Sequence, residues 1–143
     1  MNIIILGTSQ FTINATEAFI DKGYTISAII TLLPELLPNN SIDMKIYSKK
    51  KNINCHEIEN INSESSINLL KSYHPQYIFV SWPKIIKPEV INIPKFFCIG
   101  THPTDLPYNR GRHPLHWIIS QDINITKLSF FVLDEGIDTG NIL

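Results

Sequence analysis

This chain contains few cysteines and few arginines, and its net charge is close to zero. Its 143 residues include two cysteines, Cys55 and Cys98, which lie far apart and form no CxxC pair. This spacing excludes a disulfide framework and a cysteine-based metal clip. The net charge of -1 provides no basic field for a nucleic acid or an anionic membrane surface. The composition therefore predicts no nucleic-acid partner and no membrane partner.

Long apolar runs are also absent. The opening stretch MNIIILGTSQ has no positive region before its apolar run, which is too short for a secretory signal or a spanning helix. We therefore expect a cytoplasmic protein. With 143 residues, of which 43% are apolar, the chain can bury a core, and we expect one domain over residues 1–143.

Segments typical of strands and of helices alternate along the chain. β-branched and aromatic runs predict strands at NIIIL, YTISAIITL, INCHEIEN, QYIFVSW, KFFCIGTH and TKLSFFVLDEG. Helical spacing and cap residues predict helices at QFTINATEAFIDKG, IDMKIYSKKKN, NSESSINLLKSYHP, KPEVINIP and HPLHWIISQ. This alternation predicts an α/β fold with an open, mostly parallel sheet and flanking helices.

Polar residues follow several of the predicted strands directly. In open parallel sheets, ligands bind beyond the carboxyl ends of the strands. We therefore expect one crevice to bring together Gly7, Thr8, Ser81, Trp82, His102 and residues 134–138. The first turn, GTS, lacks the GxGxxG pattern, so a dinucleotide site is not predicted.

Three motifs carry a family resemblance: IIILGTSQF, THPTDLPYNRGRHPLHW and LDEGIDTGNIL. In order and spacing they resemble the folate-dependent formyltransferases. That family includes glycinamide ribonucleotide formyltransferase, methionyl-tRNA formyltransferase and the nucleotide-sugar N-formyltransferases of glycan biosynthesis. The loop YNRGRHPLHW is most similar to the last group. The resemblance implies a Rossmann-like fold, 10-formyltetrahydrofolate as formyl donor, and an amine acceptor, here the amino group of a nucleotide-linked sugar such as a dTDP-4-amino-4,6-dideoxyhexose.

The resemblance places the catalytic histidine on His102 and the catalytic aspartate on Asp138. The family's asparagine position falls on Gly100. Alternate residues of a strand face the same way, so position 100 shares the face of His102 and Thr101 points away. An oxyanion donor is then missing or is supplied by Thr104 or a backbone amide, and losing such a donor lowers a rate about 100- to 1000-fold. The chain also ends soon after Asp138, where family members continue.

The resemblance assigns the other candidates to the two substrates. The folate is expected to contact Trp82, Lys84, Ile86, Asp134 and Gly136. The acceptor is expected to contact Gly7, Thr8, Thr104, Arg110 and Arg112. A guanidinium fork suits a phosphate, and a nucleotide sugar carries two. The simpler alternatives are that Trp82 packs in the core, that Asp138 organises a turn, and that the arginines lie in solvent near a carboxylate.

Other interpretations stay open for the acceptor and for activity itself. Glycinamide ribonucleotide and methionyl-tRNA are alternative acceptors, although the neutral charge and the absence of a tRNA-binding appendage disfavour tRNA. A non-catalytic folate or nucleotide-sugar binder, or a fragment of a larger enzyme, is the alternative to an active enzyme. A homodimer is expected if a partner covers an open sheet edge.

Zinc is the alternative interpretation of the histidines in the long loop. His113 and His116 lie three residues apart at a predicted helix start, and His102 would be a third ligand. Since the resemblance already accounts for the loop, we expect no metal. We also expect Trp117 in the core.

Overall fold

The computed structural model describes all 143 residues of the chain. It contains six strands and five α-helices. The strands are β1 Asn2–Gly7, β2 Thr25–Leu32, β3 Asn54–Ile58, β4 Tyr77–Ser81, β5 Phe97–His102 and β6 Ser129–Val132. The helices are α1 Gln10–Asp21, α2 Met44–Lys51, α3 Glu64–Ser72, α4 Pro88–Ile91 and α5 Pro114–Ser120, with a 3-10 turn at Pro34–Leu36.

The chain forms two compact units, Met1–Cys98 and Ile99–Leu143. In the first unit, four parallel strands lie in the order β3-β2-β1-β4. Ile5 of β1 is level with Ile29 of β2 and with Phe79 of β4. Parallel neighbours need crossover connections, and α1, α2 and α3 lie in these connections.

Apolar side chains of β1, β2 and β4 form the core of the first unit. Ile3, Ile4, Ile5 and Leu6 are at most 2% exposed, so both faces of β1 are covered. Helix α1 packs against β1 and β2. Coverage of both faces explains why NIIIL is a continuous apolar run. Complete burial of one such side chain stabilises the fold by about 1.5–3 kcal/mol.

Side-chain caps begin two helices of the first unit. The carboxylate of Asp43 accepts the backbone N–H groups of Lys45 and Ile46 at 2.9 and 3.1 Å, before α2. The Ser63 hydroxyl accepts the N–H of Ser66 at 3.2 Å, before α3. These bonds satisfy N–H groups that the first helical turn leaves without a partner. At the start of NSESSINLLKSYHP, where the sequence left Asn62 and Ser63 as alternative caps, the cap is Ser63.

The second unit is built on an antiparallel pair. Strands β5 and β6 place Gly100 opposite Phe131 and His102 opposite Ser129. The end of the chain returns along β6, where the N–H of Val132 donates to the carbonyl of Asn141 at 2.9 Å. Gly100 and His102 are buried while Thr101 between them is half-buried, so positions 100 and 102 share the inner face as predicted.

The predicted alternation of strands and helices is confirmed. The strands are mostly parallel and helices flank them, as in an α/β Rossmann-like fold. None of the helices is both long and apolar enough to cross a bilayer. That residues 1–143 act as one catalytic domain stays a prediction.

The expectation for Trp117 is wrong, because its side chain is 56% exposed. Helix α5 buries Ile118 alone. Successive helical residues lie about 100° apart around the axis, so a short helix that buries Ile118 directs Trp117 away from the core.

Candidate active site

His102 lies buried at the carboxyl end of β5, where both of its ring nitrogens face acceptors. Nε2 donates to the backbone carbonyl of Asn109 at 2.8 Å. Nδ1 lies 3.4 Å from a carboxylate oxygen of Asp138. A carbonyl and a carboxylate both accept, so the imidazolium form of His102, with two N–H donors, satisfies both partners. The Asn109 carbonyl and the Asp138 carboxylate therefore fix the orientation of the imidazole ring.

Asp138 connects the histidine to the arginine-containing loop. Its Oδ2 atom accepts the backbone N–H of Gly111 at 2.9 Å. Both residues have positive φ, 52° at Asp138 and 92° at Gly111. Aspartate tolerates this region and glycine adopts it without a steric penalty. The carboxylate keeps partial exposure, 20% of its side chain, and stays accessible to a proton from solvent or substrate.

Thr104 and Ser129 form a buried hydroxyl network below the loop. The Thr104 hydroxyl donates to the carbonyl of Tyr108 at 2.8 Å. The Ser129 hydroxyl donates to the carbonyl of Thr104 at 2.6 Å and accepts the N–H of Leu106 at 3.2 Å. The single proton of the Thr104 hydroxyl is thus already used. Its expected role as an oxyanion donor stays a prediction that this hydrogen bond does not favour.

Sequence reasoning missed Ser129 and Asn109. Ser129 is a buried hydroxyl directly opposite His102 in the β5–β6 register. The sequence feature that indicated Ser129 was a serine at an inward-facing position of the predicted strand TKLSFF. Asn109 has φ of 54° and its carbonyl accepts from His102. Its signal was the N-R-G tripeptide, since asparagine tolerates the left-handed region in turns.

Gly100 is covered by apolar side chains of the neighbouring strand. A Cβ atom at position 100 would lie 2.8 Å from Leu133 Cδ2 and 2.8 Å from Phe131 Cζ. Phe131 is the cross-strand neighbour of Gly100 and is 1% exposed. The ring therefore fills the space in which a side chain at position 100 would stand. An amide donor cannot be placed there without displacing it.

Arg110 and Arg112 are exposed, and neither forms an ion pair. The nearby carboxylate, Asp138, binds the backbone of Gly111 between them instead. Both guanidinium groups therefore stay free to bind an anion from solution. Their predicted contact with a phosphate stays a prediction.

Asp134 organises its own turn after β6. Its Oδ1 atom accepts the N–H of Gly136 at 3.1 Å and the hydroxyl of Thr139 at 2.7 Å. A Cβ atom at position 136 would collide with the Thr139 side chain, so the turn requires glycine there. The tight loop expected at Asp134 and Gly136 is present, and its contact with folate stays a prediction.

The remaining predicted site residues belong to the first unit. Gly7 ends β1, and a Cβ atom there would collide with the Thr12 side chain. Thr8 is buried, and its carbonyl accepts the N–H of Ile42 at 2.8 Å. These contacts hold the turn after β1 close to α1 and to the loop that precedes α2. They are backbone and packing roles, and the expected contact of Gly7 and Thr8 with acceptor stays a prediction.

Trp82, Lys84 and Ile86 follow β4 in the first unit. Trp82 and Ile86 are half-buried and Lys84 is exposed. The indole Nε1–H of Trp82 is buried and has no hydrogen-bond partner. An unpaired buried donor is costly unless a ligand or water accepts from it. The structure thus brings His102, Asp138 and Thr104 together in the second unit, while a single crevice with the first-unit residues stays a prediction.

The histidines do not form a metal site. His113 and His116 lie with ring centroids 5.5 Å apart. No group of three or more His, Cys, Asp or Glu side chains is placed to hold a metal ion. The three-histidine zinc alternative therefore has no geometric support.

The comparison with known families decides which family the chain belongs to. The sequence model described as formyl transferase matches residues 1–143. The chain belongs to the formyl transferase family. The family resemblance read from the three motifs is confirmed, and with it membership in a family of transferase enzymes.

Relatives with this sequence pattern are named methionyl-tRNA formyltransferases. The protein from Thermodesulfovibrio yellowstonii is 32% identical over 99% of this chain and 47% of its own length. The protein from Pelotomaculum thermopropionicum is 28% identical over 100% of this chain and 47% of its own length. The chain thus spans about half the length of these relatives. They do not support the nucleotide-sugar subtype that the loop YNRGRHPLHW suggested.

Solved structures of formyltransferases share the fold. Phosphoribosylglycinamide formyltransferase from Bacillus halodurans superposes with a TM-score of 0.79 at 18% identity, over 99% of this chain and 76% of that one. Methionyl-tRNA formyltransferase from Clostridium thermocellum gives a TM-score of 0.63 at 27% identity, over 99% of this chain and 50% of that one. The Rossmann-like α/β fold is therefore established.

Proposed function

We propose that this chain is the catalytic domain of an enzyme that transfers a formyl group from 10-formyltetrahydrofolate to an amine. The observation that carries this proposal is the buried His102 beside Asp138 in a chain of the formyl transferase family. The pair supplies a proton relay, which is what this transfer needs. The chain spans about half the length of its relatives, so their activity does not carry over to it directly. The activity is therefore tested on this chain itself.

The reaction forms a bond between the amine nitrogen and the formyl carbon and breaks the bond from that carbon to the folate nitrogen. The amine gives up one proton, and the leaving nitrogen gains one. Because Nε2–H donates to the Asn109 carbonyl, the neutral His102 ring carries its lone pair on Nδ1, which accepts the first proton, and the resulting imidazolium returns it. The Asp138 carboxylate stabilises the cationic ring at 3.4 Å. The pair ends the cycle in its initial protonation state.

The residues after β4 fit a folate ring. Trp82 provides a buried N–H donor without a partner, and Ile86 provides half-buried apolar surface. A flat ring system that carries hydrogen-bond acceptors matches this combination of a free donor and apolar side chains. We propose Trp82, Lys84 and Ile86 as folate contacts, together with Asp134 and Gly136.

The acceptor we propose first is the amino group of methionyl-tRNA, and this proposal replaces the prediction from net charge that the protein has no nucleic-acid partner. The support is the 32% identity to a methionyl-tRNA formyltransferase over 99% of this chain. The second candidate is a nucleotide-linked amino sugar. The exposed, unpaired guanidinium groups of Arg110 and Arg112 favour it, because two adjacent forks suit a diphosphate. Glycinamide ribonucleotide is the third acceptor for the test.

The test incubates the chain with 10-formyltetrahydrofolate and each acceptor in turn. The acceptors are methionyl-tRNA, dTDP-4-amino-4,6-dideoxyglucose and glycinamide ribonucleotide, and mass spectrometry detects the added formyl group. We expect transfer to methionyl-tRNA, with the His102→Ala chain as the control. Transfer to the sugar nucleotide alone would favour the second candidate. No transfer to any acceptor would contradict the proposed function.

A further inference from the structure

Exposed apolar side chains are concentrated in the second unit. Of the fifteen large hydrophobic residues that are exposed, eleven lie within Ile99–Leu143, which is the shorter unit. Single exposed apolar residues are normal on a protein surface, whereas a contiguous apolar patch indicates a surface that binds something. The arrangement of these side chains decides which of the two applies.

Helix α5 arranges its apolar side chains in one continuous arc. Successive helical residues lie about 100° apart around the axis, so Leu115 and Ile119 stand on one side of the buried Ile118. Trp117 stands on the other side. The arc from Trp117 to Ile119 is about 200° wide, and the chain buries only Ile118 at its centre. A helix that faces one core needs an apolar stripe of only about 100°. Both flanks of α5 are thus left for another surface.

The loop after α5 extends this apolar surface. The N–H of Ile123 donates to the carbonyl of Ile118 at 3.0 Å, which folds Ile123 back onto the end of the helix. Ile125 follows and is also exposed. The exposed apolar side chains of this region are named the α5 patch: Leu115, Trp117, Ile119, Ile123 and Ile125. The α5 patch therefore runs along the helix and past its carboxyl end.

The α5 patch is about as large as the apolar part of a protein interface. At the usual apolar areas of leucine, isoleucine and tryptophan side chains, the exposed fractions of its residues amount to roughly 400 Å². Each partner in a standard interface gives about 800 Å², of which a little more than half is apolar. The patch therefore supplies nearly all the apolar area that one side of a stable dimer needs.

The charge of the α5 patch suits a second copy of the same chain. Asp122 is the only residue among positions 113–126 with a formal charge, counting histidine as neutral. A two-fold dimer brings the same surface of both copies together, so charges on that surface would face like charges. A patch with so little charge avoids this repulsion, whereas a strongly charged partner would find few charges to pair with.

We propose that two copies of this chain associate through the α5 patch, with α5 of each copy packed against α5 of the other about a two-fold axis. Trp117 is the anchor of this interface, because tryptophan is enriched among the residues that dominate binding energy. The inference is independent of the proposed function, since it concerns a surface and no reacting group. It differs from the expectation of a homodimer at an open sheet edge, because it places the contact on a helix.

The test compares charge substitutions at two exposed helical positions. Leu115→Glu places a carboxylate within the α5 patch, in the first turn of α5, where a negative charge is favourable to the helix. The matched control is Ile46→Glu in the first turn of α2, since Ile46 is 57% exposed and Leu115 is 55% exposed. Sedimentation velocity from nanomolar to high micromolar concentrations measures the monomer–dimer equilibrium of each chain, and circular dichroism verifies that each is folded.

We expect a wild-type dimer whose dissociation constant rises at least about 30-fold in Leu115→Glu and is unchanged in Ile46→Glu. Fluorescence emission provides a second measurement that locates the interface. The indole of Trp117 leaves water on association, so the emission of the wild-type chain should shift to the blue as its concentration rises. Trp117→Phe, which retains only Trp82, should not show this shift.

Loss of the dimer in Leu115→Glu alone, in a chain that keeps its circular dichroism spectrum, would support the inference. Where Leu115→Glu fails to fold, Ile119→Glu gives the same comparison at a more exposed side chain. A wild-type chain that stays monomeric at every concentration would overturn the inference and indicate a different polypeptide as the partner. A dimer that persists in Leu115→Glu, or one that both substitutions weaken equally, would also overturn it. Formyl transfer plays no part in these measurements, so the proposed function stands or fails separately.

Discussion

Strand β1 of the unit Met1–Cys98 buries four consecutive apolar residues, Ile3 to Leu6, whereas the part of β5 that belongs to Ile99–Leu143 ends at a buried histidine, His102. The first unit is stabilised mainly by apolar side chains on both faces of its sheet. The second buries His102, Thr104 and Ser129 and holds them with hydrogen bonds. Apolar burial provides stability, and the buried polar network provides orientation.

The two units also differ in how many residues have a strained backbone conformation. Of the six non-glycine residues with positive φ, the second unit holds four: Asn109, His113, Asp122 and Asp138. This unit is the shorter of the two. A positive φ at a non-glycine residue costs free energy, and it persists where surrounding contacts enforce it. At Asn109 and Asp138 the enforcing contacts involve His102, so these two strained positions hold the proposed catalytic imidazole in place.

The largest effect should come from the polar network. We expect His102→Ala to lower kcat of formyl transfer by about 100- to 10,000-fold, because the proton relay is lost. Asp138→Asn should lower kcat strongly as well, since it removes the charge that stabilises the imidazolium. The measurement is steady-state transfer to methionyl-tRNA.

The matched control is Asp122→Asn. Asp122 also has a positive φ, 53°, and lies exposed in the second unit. It should keep wild-type activity. Equal activity of the Asp122→Asn and Asp138→Asn chains would show that Asp138 only organises its turn.

Two phenylalanines test the division into units directly. Phe79 in β4 and Phe131 in β6 are both 1% exposed. Replacing either by alanine should lower the free energy of unfolding by about 3–5 kcal/mol. Phe79→Ala should reduce hydrogen-exchange protection throughout the first unit, because its ring packs against those of Phe11 and Phe19. Phe131→Ala should reduce protection of β5 and β6 and leave β1 protected.

Phe130→Ala is the control, since Phe130 is 40% exposed and its loss leaves no buried cavity. Its effect on the free energy of unfolding should be below about 1 kcal/mol. If Phe131→Ala lowers protection of β1 as much as that of β6, the two units unfold together and the comparison fails.

A thiol in the first unit should make stability depend on alkaline pH. Burial raises the pKa of Cys98 to about 12, from about 8.5 in an unfolded chain. The folded state then keeps a proton that the unfolded state releases. The contribution of this thiol to the free energy of unfolding is fully present below about pH 8.5. It falls by about 1.4 kcal/mol per pH unit as the pH rises towards 12. Urea unfolding across this range measures the slope.

Cys98→Ala should remove this component of the slope. Cys55, which is half-buried and whose thiol pKa burial also raises, should contribute less, so Cys55→Ala is the comparison variant. An unchanged slope in Cys98→Ala would mean that the folded protein exposes this thiol.

The smallest effect concerns the helix caps. Asp43→Ala should lower the free energy of unfolding by about 1 kcal/mol, because two N–H groups of α2 lose their acceptor. Asp43→Asn keeps an acceptor oxygen and should cost only a few tenths of that. Helix α5 of the second unit follows His113, whose side chain provides no cap. Equal free energies of unfolding of the Asp43→Ala and Asp43→Asn chains would contradict a role for the Asp43 cap.

Most of the fold was predictable because local patterns specify it. Continuous apolar runs predict buried parallel strands, and cap residues mark helix ends by their side-chain chemistry. The site was predictable in part. His102 and Asp138 follow from the motifs, and the shared face of Gly100 and His102 follows from strand geometry. Trp117 was misassigned because hydrophobicity alone does not state which side of a short helix is covered.

The sequence by itself determined the order of strands and helices, the family, and the residue types available for chemistry. It did so because period, caps and motifs are properties of neighbouring residues. Only the tertiary structure decided that Nε2 of His102 is bound by the Asn109 carbonyl, that Ser129 lies opposite His102, and that Phe131 covers Gly100. These contacts depend on strand register and loop path, which bring together residues that are distant along the chain.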